Sequence, residues 1–187
     1  QGYRDINYDK LCPTIPIPMN IDKIKYKENS IVDKLVIFHG ITREGVKGTP
    51  LVRQAMNKLE KNYPQEVKCI IDGKMPLDKY LEVLNETNVV VDQVYISSTG
   101  VNGVYNLAMG KVVVGGGEDE FLKEFNLSSS PLVRIQANVE DIYNQLETIV
   151  KNKDKIIEIG KESRRFAEQL HDYKKVAQQY VDVWNAF

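Results

Sequence analysis

With 187 residues, of which 42% are apolar and 27% charged, the chain has the length and composition of one folded domain, not of a disordered or membrane-spanning protein. Its 25 basic and 26 acidic side chains give a formal net charge of −1, which excludes a global positive field for nucleic acid or an anionic membrane. Any site for an anion must therefore be local, and no stretch approaches the ~20 apolar residues of a transmembrane helix.

The first thirty residues lack a helical period, and the three prolines in "CPTIPIPMN" favour extended backbone. We expect residues 1–30 to be a linker or edge segment and residues 31–187 to form one domain. The chain begins with Gln, which fits a piece of a longer protein. Cys12 and Cys69 lie far apart and outside any metal-ligand spacing, which predicts reduced thiols in a cytosolic protein.

From Lys34 onward, five short apolar runs alternate with segments of helical spacing. The runs are "KLVIFHG", "VKCIIDG", "NVVVDQV", "KVVVGG" and "PLVRIQA", and such near-continuous runs are typical of strands buried on both faces of a parallel sheet. The first helix is expected to start with Thr49 as cap and Pro50 behind it, and the second to include Leu77 to Leu84. Parallel neighbours require crossover helices, so the pattern predicts a doubly wound α/β sheet.

Two apolar stripes follow Asn138 and predict C-terminal helices. The first runs from Val139 to Val150, and the second is wide and aromatic, from Tyr173 through Trp184 to Phe187. We expect the second stripe to pack in the core, as apolar helix faces generally do. The alternative is that its partner is a missing domain, which would leave the stripe as an exposed patch.

Ligands of open parallel sheets bind beyond the carboxyl ends of the strands. The loop "HGITREGVKGT" leaves the first strand at His39 and places two exposed cations, Arg43 and Lys47, just before a helix N-terminus. Two cations beside the positive end of a helix suit a diphosphate. The alternative is a solvent-exposed loop whose charges serve solubility, and the Gly-Lys spacing of a Walker loop is absent.

Two further loops reach the same edge. "SSTGVNG", Ser97 to Gly103, would turn backbone N–H groups toward an anion, or Ser98 or Thr99 would only cap the helix. "VGGGEDEF" places three acidic residues where a helix dipole favours them, although they could also accept from a sugar hydroxyl.

Asp72, at the end of "CIID", either accepts from a ligand hydroxyl or caps a turn. The two histidines, His39 and His171, have no neighbouring Ser or Cys nucleophile pattern, so a hydrolytic triad is unsupported.

The stretches "FHGITREGVKGT", "TNVVVDQV" and "GVNGVYNLAMGKVVVGG" occur in the order and spacing of one known family. From Lys34 to Phe187 the chain resembles the C-terminal, donor-nucleotide-binding domain of retaining GT-B glycosyltransferases, the group 1 or family 4-like enzymes with two Rossmann-like halves. The resemblance implies a Rossmann-like doubly wound parallel sheet with C-terminal helices. It also implies a nucleotide-sugar substrate, no metal or other cofactor, and an N-terminal acceptor domain that this chain lacks, with "IPIPMN" as the crossover and the last helix returning to that domain.

The resemblance also assigns roles to residues. Arg43 and Lys47 would be catalytic, because they would stabilise the leaving nucleoside diphosphate by electrostatics rather than by proton transfer. The amides around Gly100 would meet phosphate or sugar, and Ile71 to Lys74 would lie near the nucleobase. The full implied donor-binding set is Gly40, Asp72, Gly73, Ser98, Thr99, Gly100, Val101, Asn102 and Tyr105.

One departure from the family is Ser97 and Tyr105, which stand where relatives have two glutamates eight positions apart. The later glutamate accepts from the ribose hydroxyls in those relatives. A lost charge-assisted hydrogen bond is worth roughly 1.5 to 3 kcal/mol, so donor binding would be weakened, altered or lost, unless Tyr105 stacks on the ligand or donates its hydroxyl.

The leading hypothesis is the donor half of a glycosyltransferase that moves a sugar from a nucleotide donor to a glycan or lipid-linked acceptor in cell-surface polysaccharide biosynthesis. The isolated half would be inactive, in the cytoplasm or at the inner face of the membrane through the missing domain. The alternative is a degenerate, non-catalytic GT-B-like domain acting in assembly. A receiver-like or flavin-binding domain is disfavoured, because "HGITREG" offers cations in place of an acidic cluster.

Overall fold

The computed structural model describes residues 12–41 and 47–186, and a parallel four-stranded sheet organises them. The strands lie in the order β2-β1-β3-β4, and every neighbouring pair is parallel. They are β1 (Leu35–Gly40), β2 (Val67–Asp72), β3 (Val89–Val91) and β4 (Val112–Val114). The predicted α/β class with a Rossmann-like parallel sheet is confirmed.

Seven α-helices in the described part of the chain connect and cover the strands. They are α1 (Thr49–Asn62), α2 (Leu77–Glu86), α3 (Val101–Met109), α4 (Asp119–Glu124), α5 (Val139–Lys151), α6 (Ile156–Leu170) and α7 (Tyr173–Asn185). Short 3-10 turns occupy Ile21–Lys23 and Lys153–Lys155.

The core is divided by the sheet into two apolar clusters. Alternate strand residues point to opposite faces, so Leu35 and Ile37 pack with α1 and α5, whereas Phe38 packs with α2, α3 and α6. Because Val89 and Val91 belong to the first cluster and their neighbour in β3 to the second, the central strands are buried on both faces. This arrangement explains why the sequence shows continuous apolar runs instead of alternation.

The fifth predicted strand, "PLVRIQA", is reduced to a single parallel bridge between Val133 and Val114. The Gly115 amide donates to the Val133 carbonyl at 2.8 Å, and the Val133 amide donates to the Val113 carbonyl at 2.9 Å. The ladder cannot continue because the chain turns away after Val114 through three glycines in the left-handed region, at φ 108, 79 and 77°. The prediction of full burial is also wrong for β2, an edge strand in which only Val67 is buried.

The first C-terminal stripe packs as predicted, and the second does not. Five residues of α5 are buried: Ile142, Tyr143, Leu146, Ile149 and Val150. In α7 only Val176 is buried, while Tyr180 is 44% and Trp184 73% exposed, so the prediction of core packing is wrong for this helix. Periodicity identifies the apolar face of a helix but does not identify what covers it. Phe187 lies outside the described residues.

The segment before β1 packs onto the domain. Met19 forms a parallel bridge with Asp172, and Ile21 and Ile24 are buried in the second cluster. The Arg164 guanidinium donates to the carbonyl of Ile24 at 2.9 Å, which joins this segment to α6. The predicted domain boundary at residue 30 stays a prediction. Among the described helices, none has the length and apolar character needed to cross a membrane.

Helices α3 and α6 meet where two glycines face each other. A Cβ on Gly160 would lie 2.4 Å from the carbonyl oxygen of Gly110. Gly160→Ala gains about 1 kcal/mol of helix propensity, but overpacking of this kind costs about 1 to 3 kcal/mol. We therefore predict a net destabilisation of about 1 kcal/mol, measured by urea unfolding.

Glu162→Ala, on the exposed side of the same helix, is the matched control and should change stability by less than about 0.5 kcal/mol. A Gly160→Ala protein more stable than the wild type would contradict the close contact.

Candidate functional site

The order of the strands creates one crevice at the carboxyl edge of the sheet. Strands β1 and β3 are neighbours, but the chain leaves β1 toward β2 on one side and leaves β3 toward β4 on the other. Open α/β sheets bind ligands at such a switch point, outside the carboxyl ends of the two strands. Lys47, just before α1, and the residues between Asp92 and Gly100, before α3, border this crevice.

A buried aspartate, Asp92, lies at the centre of the crevice, directly after β3. Its side chain is 1% exposed and accepts from Lys47 Nζ at 3.1 Å, Thr99 Oγ1 at 3.1 Å, the Gly100 amide at 3.1 Å and Asn102 Nδ2 at 3.5 Å. A carboxylate is tolerated inside a protein only when it is paired and hydrogen-bonded in this way. Asp92 therefore joins the end of the β1 loop to the first turn of α3.

Glycines allow the loop before α3 to approach Asp92 closely. Gly100 holds the N-cap position of α3, and a Cβ on Gly103 would lie 1.7 Å from Thr99 Oγ1 and 2.7 Å from Asp92 Oδ2. The Thr99 hydroxyl donates to Asp92, so the alternative that Ser98 or Thr99 caps the helix is wrong. Gly116, with φ 79°, supports this loop from β4, because its Cβ would come within 2.9 Å of the Thr99 nitrogen.

His39, at the end of β1, fixes the start of α1. Its Nδ1 lies 2.8 Å from the Val91 carbonyl oxygen and its Nε2 lies 2.9 Å from Thr49 Oγ1. Because a carbonyl only accepts, Nδ1 carries the hydrogen and Nε2 accepts from the Thr49 hydroxyl. Burial lowers the pKa of His39 to about 4, so the ring is neutral. Thr49 is the first helical residue and Gly48, at φ 66°, is the N-cap, which corrects the predicted Thr49 cap.

A tyrosine of α2 reaches the same helix start. The Tyr80 hydroxyl donates to Asn102 Oδ1, and Asn106 Nδ2 donates to the Asn102 carbonyl at 2.8 Å. The rings of Tyr80 and Phe38 meet edge to face at 5.9 Å, which orients the phenol. Asn102 is therefore held from two helices.

Asp92 and Tyr80 belong to the site but were not predicted from the sequence. For Asp92 a signal was present, because an acidic residue directly after a buried strand lies at the carboxyl edge. The position of Tyr80 beside α3 depends on how α2 packs, which the sequence pattern does not show.

The structure brings together four of the predicted site residues around Asp92: Lys47, Thr99, Gly100 and Asn102. Lys47 differs from its prediction in one respect, because it is 7% exposed and paired with a carboxylate, whereas the sequence suggested an exposed cation. Arg43 lies outside the described residues. Val101 is 63% exposed at the first turn of α3, and Ser98 is half-buried.

The remaining predicted residues lie at the ends of β1 and β2 and in α3. Gly40 ends β1 and Asp72 ends the neighbouring strand β2. Gly73 follows β2, and a Cβ on it would come 2.1 Å from the Ile41 carbonyl oxygen. Asp72 is exposed and accepts from the Lys74 amide at 3.0 Å, which is the turn-capping alternative. Tyr105 is half-buried against the second apolar cluster. Asp119 of the acidic loop pairs with Arg134 at 2.7 Å on the surface.

A cavity of about 310 Å³ lies at the opposite, amino edge of the sheet. Its lining includes Asn29, Val36, Asn88 and Lys111. The Lys111 side chain is 2% exposed, its ammonium donates to the Thr87 carbonyl at 2.5 Å, and burial lowers its pKa to about 8. This cavity is separated from Asp92 by the length of the strands.

The sequence matches no family model and no curated protein. Solved structures do match. HepE of Anabaena in complex with UDP and glucose has 15% sequence identity and a TM-score of 0.67, over 92% of this chain and 56% of that one. Sucrose-phosphate synthase of Thermosynechococcus elongatus has 16% identity and a TM-score of 0.64, over 92% of this chain and 51% of the synthase. TarM of S. aureus, in complex with UDP, fondaparinux and alpha-GlcNAc-glycerol, has 15% identity and a TM-score of 0.62, over 87% of this chain and 38% of TarM.

The chain has the fold of one half of a GT-B glycosyltransferase. The resemblance inferred from sequence is thereby confirmed as a fold, and it is consistent with the C-terminal half of GT-B enzymes. The chain spans 56% of the length of HepE, 51% of the synthase and 38% of TarM. At these identities the likeness concerns the GT-B architecture, and the chemistry depends on the residues of this chain.

The Lys47–Asp92 pair can be tested by a double-mutant cycle. Breaking a buried pair by removing one partner costs about 3 to 5 kcal/mol, because the other charge stays buried. We predict that Lys47→Met and Asp92→Asn each destabilise the protein by this order. The double variant should lose clearly less than the sum, as measured by urea unfolding.

Lys58→Met is a matched control for the lysine change, because its ion pair with Glu140 is exposed. Its cost should stay below about 1 kcal/mol. Strict additivity of Lys47→Met and Asp92→Asn would show that the two side chains do not interact.

The lowered pKa of His39 predicts a pH dependence of stability. The unfolded state takes up the proton near pH 6.5 and the folded state only near pH 4, so the free energy of unfolding falls as pH decreases through this window. The contribution present above pH 6.5 is up to about 3 kcal/mol. In His39→Gln, the decrease between pH 6.5 and pH 4 should be smaller by this amount, as measured by urea unfolding at a series of pH values.

His171→Gln is the matched control, because burial also lowers the pKa of His171. This variant should retain the part of the pH-dependent loss of stability that His39 causes. If His39→Gln and the wild type lost stability in parallel across the window, His39 would take up its proton equally in the folded and the unfolded protein.

Proposed function

We propose that this chain is the donor-binding half of a glycosyltransferase that transfers a sugar from a nucleotide-sugar to a glycan or lipid-linked acceptor, in cell-surface polysaccharide biosynthesis. The observation that carries the proposal is the fold, shared over 92% of this chain with HepE, whose structures contain UDP or UDP-glucose. The crevice between β1 and β3 supports it, because a cation and the start of a helix meet there.

The proposed chemistry is electrostatic. The N-terminus of α3 lies beside Asp92, and its first residue, Val101, is 63% exposed. A diphosphate at this helix start would gain from the helix dipole. Arg43, which follows β1 in the sequence, would supply a charge to the leaving nucleoside diphosphate, whose negative charge grows as the sugar departs. His39 takes no part in proton transfer, because both its nitrogens are bound inside the domain.

The proposal assigns acceptor binding to a further domain. This chain spans 56% of HepE, and the face of α7 that carries Tyr180 and Trp184 is exposed. We propose that this face packs against the acceptor domain, and that the described half alone binds donor but turns over little, because catalysis requires both substrates in one geometry. A cytoplasmic location belongs to the same proposal, with contact to the inner face of the membrane through the further domain.

A second candidate function is a degenerate GT-B-like domain that acts in assembly. Three residues favour it: Ser97 and Tyr105 stand at the glutamate positions of the family, and Asp92 places a negative charge among the donors at the start of α3. In this reading the exposed face of α7 would serve association without donor turnover.

Calorimetric titration with uridine, UMP, UDP and GDP, combined with amide chemical shifts, separates the two functions. The donor-binding function predicts that a diphosphate binds more tightly than its monophosphate and that the shifts concentrate at Gly100 to Gly103. Absence of binding by any nucleotide would favour the degenerate domain. Shifts at Asn29 and Lys111 would move the site to the amino edge of the sheet.

Arg43→Ala should weaken diphosphate binding by about 1.5 to 3 kcal/mol, as expected for a charged hydrogen-bond donor, with unchanged unfolding. Arg165→Ala, which removes an exposed arginine from α6, is the charge-matched control and should leave affinity unchanged. Equal affinity of Arg43→Ala and Arg165→Ala would remove Arg43 from the site.

A further inference from the structure

The donors around Asp92 are those that proteins use for phosphate. An ammonium from Lys47, a hydroxyl from Thr99 and the amide of Gly100 at a helix start all point at one carboxylate, with the Asn102 side-chain amide beside them. Charged donors and helix N-termini are typical phosphate ligands. In this chain an internal anion already occupies the position.

The same contacts determine what a diphosphate would meet. A phosphate that approaches Lys47 encounters the Asp92 carboxylate, which already lies 3.1 Å from the ammonium, and two anions beside one buried ammonium repel each other. The pair as a whole is neutral, so Lys47 adds no net attraction. Thr99 and Gly100 are also bound already and are free for phosphate only when the carboxylate moves away.

The residues around Asp92 leave space for its carboxylate. Asp92 is 1% exposed, and Gly103 leaves space for Asp92 and Thr99 against the first turn of α3, since a Cβ there would come 2.7 Å from Asp92 Oδ2. The acid therefore lies between the helix start and the lysine.

We propose that Asp92 is an internal competitor of the diphosphate: it sets the affinity of the site by occupying Lys47, Thr99 and Gly100, and the ligand gains these donors only by displacing it. The inference rests on the proposed function for the ligand, a nucleoside diphosphate. It adds that this chain binds such a ligand more weakly than its donor set alone would allow.

The test measures binding of inorganic pyrophosphate and UDP to the wild type, Asp92→Asn and Asp92→Ala. Asparagine keeps the volume and removes the charge, and alanine also opens space. Both variants should bind pyrophosphate at least about tenfold more tightly than the wild type. Asp33→Asn, which removes an exposed charge at the amino edge of the sheet, controls for net charge and should bind as the wild type does.

Melting temperatures give a second readout. Without an anion, the Asp92 variants should melt below the wild type, because Lys47 stays buried without its carboxylate. Added pyrophosphate should raise their melting temperature more than that of the wild type. If Asp92→Ala does not fold, Asp92→Asn alone is compared with the wild type in affinity and melting temperature. In the folded wild type, the Gly100 amide shift should need at least about tenfold more pyrophosphate to reach half of its full change than in Asp92→Asn.

The outcomes separate this inference from the proposed function. Affinity for pyrophosphate that is equal or lower in Asp92→Asn would overturn the inference and make Asp92 a residue that positions Lys47. If UDP then still bound the wild type, the proposed function would stand. If the variants bound pyrophosphate tightly but UDP no better than pyrophosphate, the internal competitor would stand and the nucleotide function would fail.

Discussion

The buried ion pair between Lys47 and Asp92 is the interaction on which the carboxyl edge of this domain depends. It connects the end of the β1 loop with the residue that follows β3, the two neighbouring strands at which the chain changes direction. The same carboxylate holds Thr99 and Gly100, so the start of α3 is attached to the sheet through one side chain. A buried charge therefore contributes directly to the geometry of the crevice.

A buried ion pair is costly to desolvate, but once formed it fixes the orientation of the groups that bind it. Replacement of a buried pair by apolar residues is often neutral or stabilising in proteins, so the pair is weak evidence of a stability role. Its value here lies in orientation, because each lone pair of Asp92 has a defined donor and each donor belongs to a segment that borders the crevice. His39 adds a second fixed point, since its ring links Val91 to the first residue of α1.

The sequence was sufficient for the class of fold, because Val-rich runs separated by amphipathic segments have few other solutions than a covered parallel sheet. It was insufficient where the pairing or burial of one segment depends on another segment that is distant in the sequence. Val133 had the composition of a strand but makes only one bridge, because the glycines after Val114 end the neighbouring strand first. Trp184 had the spacing of a core residue, but its 73% exposure depends on what lies over α7, which no local pattern contains.

The candidate site, too, could be predicted from the sequence only in part. The loops that reach the carboxyl edge followed from the parallel direction of the strands, so Lys47, Thr99 and Gly100 could be grouped before their contacts were known. Their electrostatic state could not, because it depends on a partner 45 positions away from Lys47 in the sequence. A lysine next to a glycine indicates a cation in the loop, and only the packed structure shows that the cation is neutralised.

Two buried lysines of this domain show what the counterion does. Lys111, at the amino edge, is 2% exposed and donates to the Thr87 carbonyl, and burial without a facing carboxylate lowers its pKa to about 8. Lys47, at the carboxyl edge, is 7% exposed and has Asp92 at 3.1 Å. A buried ammonium either binds its proton less strongly or keeps an anion beside it. Without Asp92, Lys47 would be in the situation of Lys111 but beside a helix N-terminus, where an external anion such as a diphosphate can take the place of the missing carboxylate.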